Sequence, residues 1–313
     1  MSRPSSPGRT RRCTKPRTRG EIAWCATSLL ETLAHLLRRA TAALSAALDL
    51  TPRVARLEAQ VLLCQACSRP RAWLVAHDLE VLDSAPANAF SALLERRLAG
   101  EPIAYITGER EFYGLSFQVT PAVLIPRPET ELLVEQALAR LPENRASRVL
   151  DLGTGSGAIA LTLAKLRPQA VVTAVDLSPA ALAVARNNAQ RLALANVDFV
   201  QSAWYAALPP HSRFELIVSN PPYIAAGDPH LAQGDVRFEP PAALASGPDG
   251  LDDIRVIIAG AVVHLAHGGW LLFEHGYDQA GACRALLEQA GFCEVASVDD
   301  LAGIARVSLG RCR

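Results

Sequence analysis

Asn220-Pro221-Pro222-Tyr223 follows the apolar run Phe214–Ser219, and these residue types in this order build a pocket for a planar NH2 group. Two consecutive prolines fix φ and remove two backbone donors, so the chain leaving a strand here is stiff and its carbonyls stand unpaired. The Asn220 side-chain oxygen and the Pro221 carbonyl can then accept the two N–H bonds of such a group, while Tyr223 offers a flat face to stack on it. The nitrogens that fit have a delocalised lone pair: an amide, or the exocyclic amine of a base. Taken alone, Pro-Pro after a strand is also simply a rigid turn. Its meaning depends on what lies upstream.

Upstream, Val149-Leu150-Asp151-Leu152 runs into Gly153-Thr154-Gly155-Ser156-Gly157 and then Ala158-Ile159-Ala160. This order reads as a buried strand, a glycine-rich turn and the start of a helix. Glycine permits φ > 0 and lets a ligand approach the backbone. Gly153, Gly155 and Ala158 also satisfy the looser dinucleotide pattern, so NAD fits this segment by itself. A second apolar run, Ala170–Val175, ends in Asp176. Its carboxylate would stand at the end of the neighbouring strand, placed to accept both ribose hydroxyls of a nucleoside. The plainer alternative is a cap for the helix beginning near Ser178. Turn and acid suit a nucleoside cofactor without choosing between NAD and S-adenosylmethionine.

Acid at the end of the second strand and Asn-Pro-Pro-Tyr at the end of the fourth place cofactor and acceptor pocket on one sheet edge, where open α/β sheets bind ligands. With both in view the chain resembles the S-adenosylmethionine-dependent methyltransferases, and within them the peptide chain release factor N5-glutamine methyltransferases, the HemK/PrmC family. The resemblance also rests on Gly100–Gly108, Phe112-Tyr113-Gly114, Leu124–Glu131 with its Arg-Pro-Glu-Thr-Glu block, Gly234–Pro240 with Arg-Phe-Glu-Pro, and Glu274-His275-Gly276. It runs from about residue 25 to the C-terminus. Asn-Pro-Pro-Tyr alone is shared with adenine-N6 DNA methyltransferases, which would use the same pocket on a flipped base. Methylation of another protein's glutamine stays open beside it.

The resemblance implies S-adenosyl-L-methionine held by Gly153, Thr154, Gly155, Ser156, Gly157, Asp176, Trp204 and Asn220. It implies a glutamine side chain, from the Gly-Gly-Gln loop of a class 1 release factor, held by Asn220, Pro221, Pro222, Tyr223 and Phe112. Asn220, Pro221 and Tyr223 would carry the chemistry. Phe112 resembles the aromatic that closes the family's acceptor pocket and is equally a plain hydrophobic linker residue. Ala203 stands where the family usually has Asp, which shifts adenine recognition from hydrogen bonding towards stacking on Trp204; a core tryptophan is the alternative there. Asp151 is either a water-bridged ligand for the methionine amine or a structural cap. Arg127 and Glu129 are expected to organise a helix start and bridge the domains. His275 is expected to be structural rather than a general base, and no metal is required.

The composition narrows the partners. Half of the 313 residues are hydrophobic, and the formal charge is zero. Seven of the 31 basic residues crowd into residues 1–20 without an acid, leaving 24 against 31 acids, a net of −7, over the rest. A body this acidic repels a polyanion, and no direct specific nucleic-acid binding is expected. No run approaches the roughly 20 apolar residues of a membrane span, the basic tail lacks the apolar stretch of a secretory signal, and the cytoplasm is the expected compartment. The seven cysteines have no framework spacing, and Cys64-x-x-Cys67, inside a helical pattern, reads as buried thiols rather than a metal or redox pair.

The elements that must position these residues follow in order. Residues 1–21 form a basic tail expected to be disordered. Residues 22–100 read as a small helical bundle: Ile22–Leu48, Arg53–Cys67 after Thr51-Pro52, and Ala85–Leu98. In the resembled family this domain helps recognise the release factor. Residues 101–125 read as a β-hairpin linker. Residues 126–313 form the catalytic domain, with a helix at 130–140 and strands at 148–152, 171–175, 197–200 and 214–219. A helix at 251–265, a strand at 270–274, a helix at 279–290 and terminal strands at 293–298 and 305–309 complete it. Strands alternating with helices predict a parallel sheet with right-handed crossovers. The expected fold is therefore α/β: a Rossmann-like methyltransferase domain with a mostly parallel seven-stranded sheet and an antiparallel terminal hairpin, preceded by the bundle.

Overall fold

The structure, a computed structural model, describes residues 31–313. The basic tail, the helix start at Ile22, Cys13 and Cys25 lie outside the described residues. Helices α1 (Leu33–Leu48), α2 (Pro52–Cys67), α3 (Arg71–Ala76) and α4 (Ser84–Leu98) open the described chain. The second begins as its residues dictate, with Pro52 at its first position and the Thr51 hydroxyl accepting from Val54 N. These helices close on a core of their own, in which Leu33, Leu44, Leu62, Leu63 and Phe90 are fully buried. The sequence pattern does not announce α3: six residues are too few for helical periodicity to show.

The segment expected to be a hairpin linker begins instead with a short helix, α5 (Ile103–Thr107), before β1 (Glu109–Phe112) and β2 (Leu115–Gln118). Its signals are brief: Pro102 before it and Gly108 after it at φ +76°. The hairpin turns on Tyr113 and Gly114, both at positive φ, the backbone a two-residue hairpin demands. It is pinned rather than loose. Tyr113 N donates to Glu131 Oε1 at 2.8 Å, and Gln118 N donates to Asn188 Oδ1 at 2.7 Å. The same Asn188, fully buried, donates through Nδ2 to the carbonyls of Gln118 and Ser156, tying the hairpin to the glycine turn.

After a 3-10 turn at Pro128–Thr130 come α6 (Glu131–Leu138), β3 (Arg148–Leu152), α7 (Ala158–Leu166), β4 (Val171–Asp176), α8 (Pro179–Arg191), β5 (Val197–Gln201) and β6 (Phe214–Ser219). Then follow α9 (Asp252–His264), β7 (Leu265–Glu274), α10 (Ala280–Gln289), β8 (Cys293–Asp299) and β9 (Ala305–Arg311). The seven-stranded sheet has the order β5-β4-β3-β6-β7-β9-β8, with β3 to β7 parallel and β9 antiparallel to both neighbours. Leu133, Leu161, Leu163 and Val172 sit in the core on one face. Ile254, Ile258 and Leu287 pack on the other. Burial on both faces is why the central strands read as unbroken apolar runs. From β3 the chain moves first to β4 and β5 on one side and then to β6 on the other. That reversal opens a crevice at the carboxyl ends of β3, β4 and β6.

Arg97 and Arg237, rather than Arg127, join the helical part to the sheet part, Arg237 donating through Nη2 to Ala99 O at 3.3 Å. Arg97, 3% exposed, donates through Nε and Nη2 to Glu58 at 2.9 and 3.2 Å and through Nη1 to Asp235 at 3.1 Å. Cys64 and Cys67 are free, and burial pushes both thiols up, away from the reactive thiolate. Among the described residues no helix is long and apolar enough to cross a membrane.

Candidate active site

The glycine turn leaves β3 with the N–H groups of Gly153 and Thr154 both donating to Val175 O of the neighbouring strand at 2.9 Å. Gly153 holds φ +72°, and a Cβ there would meet the Trp204 ring at 3.4 Å. Gly155 holds φ +56°, and a Cβ there would meet nothing within 4 Å. Both positions need glycine for their backbone, and the second also leaves its surface open to a ligand.

Asp176 ends β4. Its Oδ2 accepts from Gly155 N at 2.9 Å and its Oδ1 from Ser178 N at 2.8 Å. Burial pushes this carboxyl above its ordinary range, while the amides of Ser178, Gly155 and Leu177 pull it back down. Each oxygen keeps a lone-pair direction beyond the amide it receives. The helix cap is Ser178 itself, whose hydroxyl accepts from Ala181 N.

Trp204, at φ +52°, donates from Nε1 to Asp253 Oδ1 at 3.1 Å, a bond that fixes its ring in the crevice wall. Asn220, at the end of β6, donates from Nδ2 to Thr130 Oγ1 at 3.0 Å. Thr130 donates in turn to Glu274 Oε2 at 2.7 Å, and the Tyr223 hydroxyl donates to Glu274 Oε1 at 3.0 Å.

A cavity of about 510 Å³ reaches the glycine turn, Asp176, Trp204, Asn220 and Thr130. Gly153, Thr154, Gly155, Ser156, Asp176 and Trp204 line one part of it. Phe112, Thr130, Asn220 and Pro222 are also in its wall. The volume is of the order taken by small-molecule sites. One pocket therefore unites the glycine turn, the strand-end acid and the asparagine, which come from three separate strand ends of the sheet.

The comparisons with known proteins agree with this geometry. Residues 35–108 match the model of the PrmC N-terminal domain, and residues 128–236 that of the methyltransferase small domain. The release factor glutamine methyltransferase of Xylella fastidiosa is 54% identical over 84% of this chain and 95% of its own length. That of Bordetella pertussis is 57% identical over 83% of this chain and 96% of its own. The chain belongs to the release factor glutamine methyltransferase family. Among solved structures, the hMettl16 catalytic domain in complex with a MAT2A 3'UTR hairpin is similar in fold, with a TM-score of 0.53 and 17% identity over 70% of this chain and 81% of that one. The methyltransferase fold is thus common to the two.

Three residues expected in the site stand behind its wall. Gly157 does not line the cavity; at φ +84° it shapes the entry to α7, where a Cβ would meet Leu161 at 2.9 Å. Pro221 is buried and is likewise absent from the lining, which Pro222 joins instead. Tyr223 is absent too. Tyr223 is half-buried, and its hydroxyl finds Glu274 as a partner, which anchors the ring beside the pocket. Phe112 has both characters that its sequence leaves open. It is 1% exposed, packs edge-on to Phe117 with centroids 6.1 Å apart, and still forms part of the wall.

Asp151 is fully buried and off the lining; it accepts from Thr154 Oγ1 at 2.6 Å and leaves Oδ1 without a partner. Burial pushes it up to about 7. His275, also fully buried, is off the lining; desolvation lowers its pKa, keeping it neutral, with Nδ1 against Gly276 O at 2.8 Å. Arg127 pairs with the buried Glu239 and reaches the cavity wall. Thr130 and Asp253 are residues that sequence reasoning missed, and Glu274 entered it only as a fallback place for the acceptor pocket, not as a support. Thr130 and Glu274 lie inside the Arg-Pro-Glu-Thr-Glu and Glu-His-Gly blocks, but nothing local distinguishes a helix-start threonine or a strand-end glutamate from one that supports a pocket.

Proposed function

We propose that the protein transfers a methyl group from S-adenosyl-L-methionine to the side-chain amide nitrogen of the glutamine in the Gly-Gly-Gln loop of class 1 peptide chain release factors. The observation that carries this reading is the single cavity shared by Asn220, Asp176 and the glycine turn, in a chain more than half identical to release factor glutamine methyltransferases. The residues fit the cofactor. Gly155 leaves open surface for the methionine moiety, Asp176 has acceptor capacity left for the ribose hydroxyls, and the Trp204 ring is available to stack on adenine. When bound, S-adenosylmethionine supplies an electrophilic methyl on a sulfonium.

The protein's own work lies with the acceptor. An amide nitrogen is a poor nucleophile because resonance delocalises its lone pair. Asn220 Oδ1, accepting an N–H of the glutamine amide, fixes the nitrogen and favours its pyramidal form. It also stabilises positive charge developing there, which a preorganised dipole does at little reorganisation cost. Holding the nitrogen in line supplies the entropic part. The proton leaves after transfer, when the nitrogen has become acidic.

The helical region at residues 22–100 is proposed to grip the release factor, with Arg97 fixing it to the catalytic part, residues 126–313. The setting of the reaction is the cytoplasm. Incubation of the protein with S-adenosylmethionine and a release factor, followed by mass spectrometry of its peptides, is expected to show one added methyl on the Gly-Gly-Gln glutamine. An unmodified glutamine, with transfer to another residue or none, overturns the reading.

A further inference from the structure

Beneath Asn220, three side chains from three distant stretches form a chain of hydrogen bonds whose direction is fixed. It starts at Glu274, which accepts from the Tyr223 hydroxyl on Oε1 and from the Thr130 hydroxyl on Oε2. Glu274 is 2% exposed and Thr130 4%, so water does not compete for these bonds. Burial pushes the Glu274 carboxyl up, while the two hydroxyls donated to it favour the ionised form; once ionised it only accepts, and a threonine hydroxyl has one proton to give. That proton is committed to Glu274. Thr130 Oγ1 therefore meets Asn220 as an acceptor, and only the NH2 edge of the amide can satisfy it. Turning the amide over would set two acceptors against each other in a buried site, losing one hydrogen bond and creating a repulsion.

We propose that Thr130 and Glu274 are positioning residues that fix the orientation of the Asn220 amide, with Oδ1 left to face the acceptor nitrogen. The inference rests on the functional reading above, in which Asn220 receives the glutamine amide. Tyr223 completes the device by donating to the second carboxylate oxygen, so Glu274 is anchored from two elements and held where it receives the Thr130 proton. Thr130 is also in the cavity wall, so direct contact with substrate is the competing explanation, and the experiment must separate the two.

Methyl transfer to a full-length release factor is measured with five full-length variants, Asn220→Ala alone among them. Thr130→Val keeps the shape and removes the hydroxyl; Thr130→Ser keeps the hydroxyl. Glu274→Gln brings an NH2 that can donate to Thr130 and reverse its polarity. Thr130→Val is also combined with Asn220→Ala. Thr130→Val and Glu274→Gln are expected to lower kcat roughly ten- to hundredfold, in the range of losing a preorganised donor or acceptor. KM for the release factor and Kd for S-adenosylhomocysteine should change by less than about twofold. Thr130→Ser is expected to recover most of the loss. On the Asn220→Ala background, Thr130→Val should add less than about twofold, because the group it orients is gone.

A kcat for Thr130→Val within about twofold of the wild type overturns the inference, and so does a loss that multiplies in full with that of Asn220→Ala. Should Thr130→Val fail to fold by circular dichroism, Glu274→Gln takes its place, alone and on the Asn220→Ala background, with the same two outcomes deciding. Absence of transfer by the wild-type protein refutes the functional reading itself. An active wild type with an unaffected Thr130→Val refutes only the positioning role.

Discussion

On the glycine-turn side of the cavity, Asp151 takes one hydrogen bond from Thr154, three residues away, and keeps one oxygen unpartnered. On the asparagine side, Glu274 has both oxygens engaged, by Thr130 and Tyr223, 144 and 51 residues away. Both acids are buried at strand ends, and burial pushes both carboxyls up. What differs is the support. The first side is built from backbone: three glycines at positive φ, paired amides on Val175 O, and Asp176 receiving two more amides. The second is built from side chains that meet only when sheet order is complete. A surface for binding a nucleoside can be made largely from backbone once β3 and β4 pair; a surface that points one amide oxygen in one direction takes side chains brought together from across the chain. Binding and turnover should therefore fail separately.

The most severe break is Asn220→Ala. Removing one preorganised hydrogen-bond partner is expected to cut kcat by roughly a hundredfold or more, while affinity for S-adenosylhomocysteine, held by the other side, changes little. Steady-state kinetics beside calorimetric titration checks both halves. Asn220→Asp keeps an acceptor of similar shape and adds charge, so residual activity there agrees with the pocket, whereas near-normal kcat in the alanine variant places the acceptor site elsewhere.

Asp151 tests the buried-acid side through stability. Its folded pKa, about 7, lies above the ordinary 3.8, so the folded state binds the proton more tightly than the unfolded one. The stability linked to that proton is fully present below the ordinary value and is lost as pH rises towards about 7. The slope approaches about 1.4 kcal/mol per pH unit for one proton. Asp151→Asn, which keeps an acceptor for Thr154, should flatten the loss between pH 4 and 7 in urea denaturation of the cofactor-free protein. Identical slopes in the two proteins would show that Asp151 titrates normally.

Asp176→Ala is expected to weaken S-adenosylhomocysteine binding at least tenfold. Two hydrogen bonds to a charged acceptor disappear, each worth about 1.5–3 kcal/mol. Because Asp176 also receives the Gly155 and Ser178 amides, circular dichroism should accompany the titration. An unchanged Kd in a folded variant removes the ribose assignment. The mildest change is Trp204→Phe, which keeps a stacking face and loses the bond to Asp253. A net loss of about 1 kcal/mol for one hydrogen bond corresponds to roughly a fivefold weaker Kd. A loss as large as that of Asp176→Ala would instead mean that the indole NH organises the whole wall.

Much of this molecule is legible in the unfolded chain. Strands at 148–152 and 214–219, the Pro52 helix start, the terminal hairpin and the strand-end place of Asp176 and Asn220 all stand where their residues put them. Each follows from neighbours within a few positions: proline and glycine restrict φ, caps satisfy helix ends, and apolar runs seek burial. The residues that only tertiary structure assigned are of another kind. Tyr223 found Glu274 for its hydroxyl, Thr130 became the support of Asn220, Arg97 and Arg237 tied the helical region to the sheet region, and Pro222 rather than Pro221 joined the wall. A backbone turn carries its own geometry in its sequence. A polar side chain does not carry its partner, because that partner is chosen by strand order and register, and by which donors burial has cut off from water.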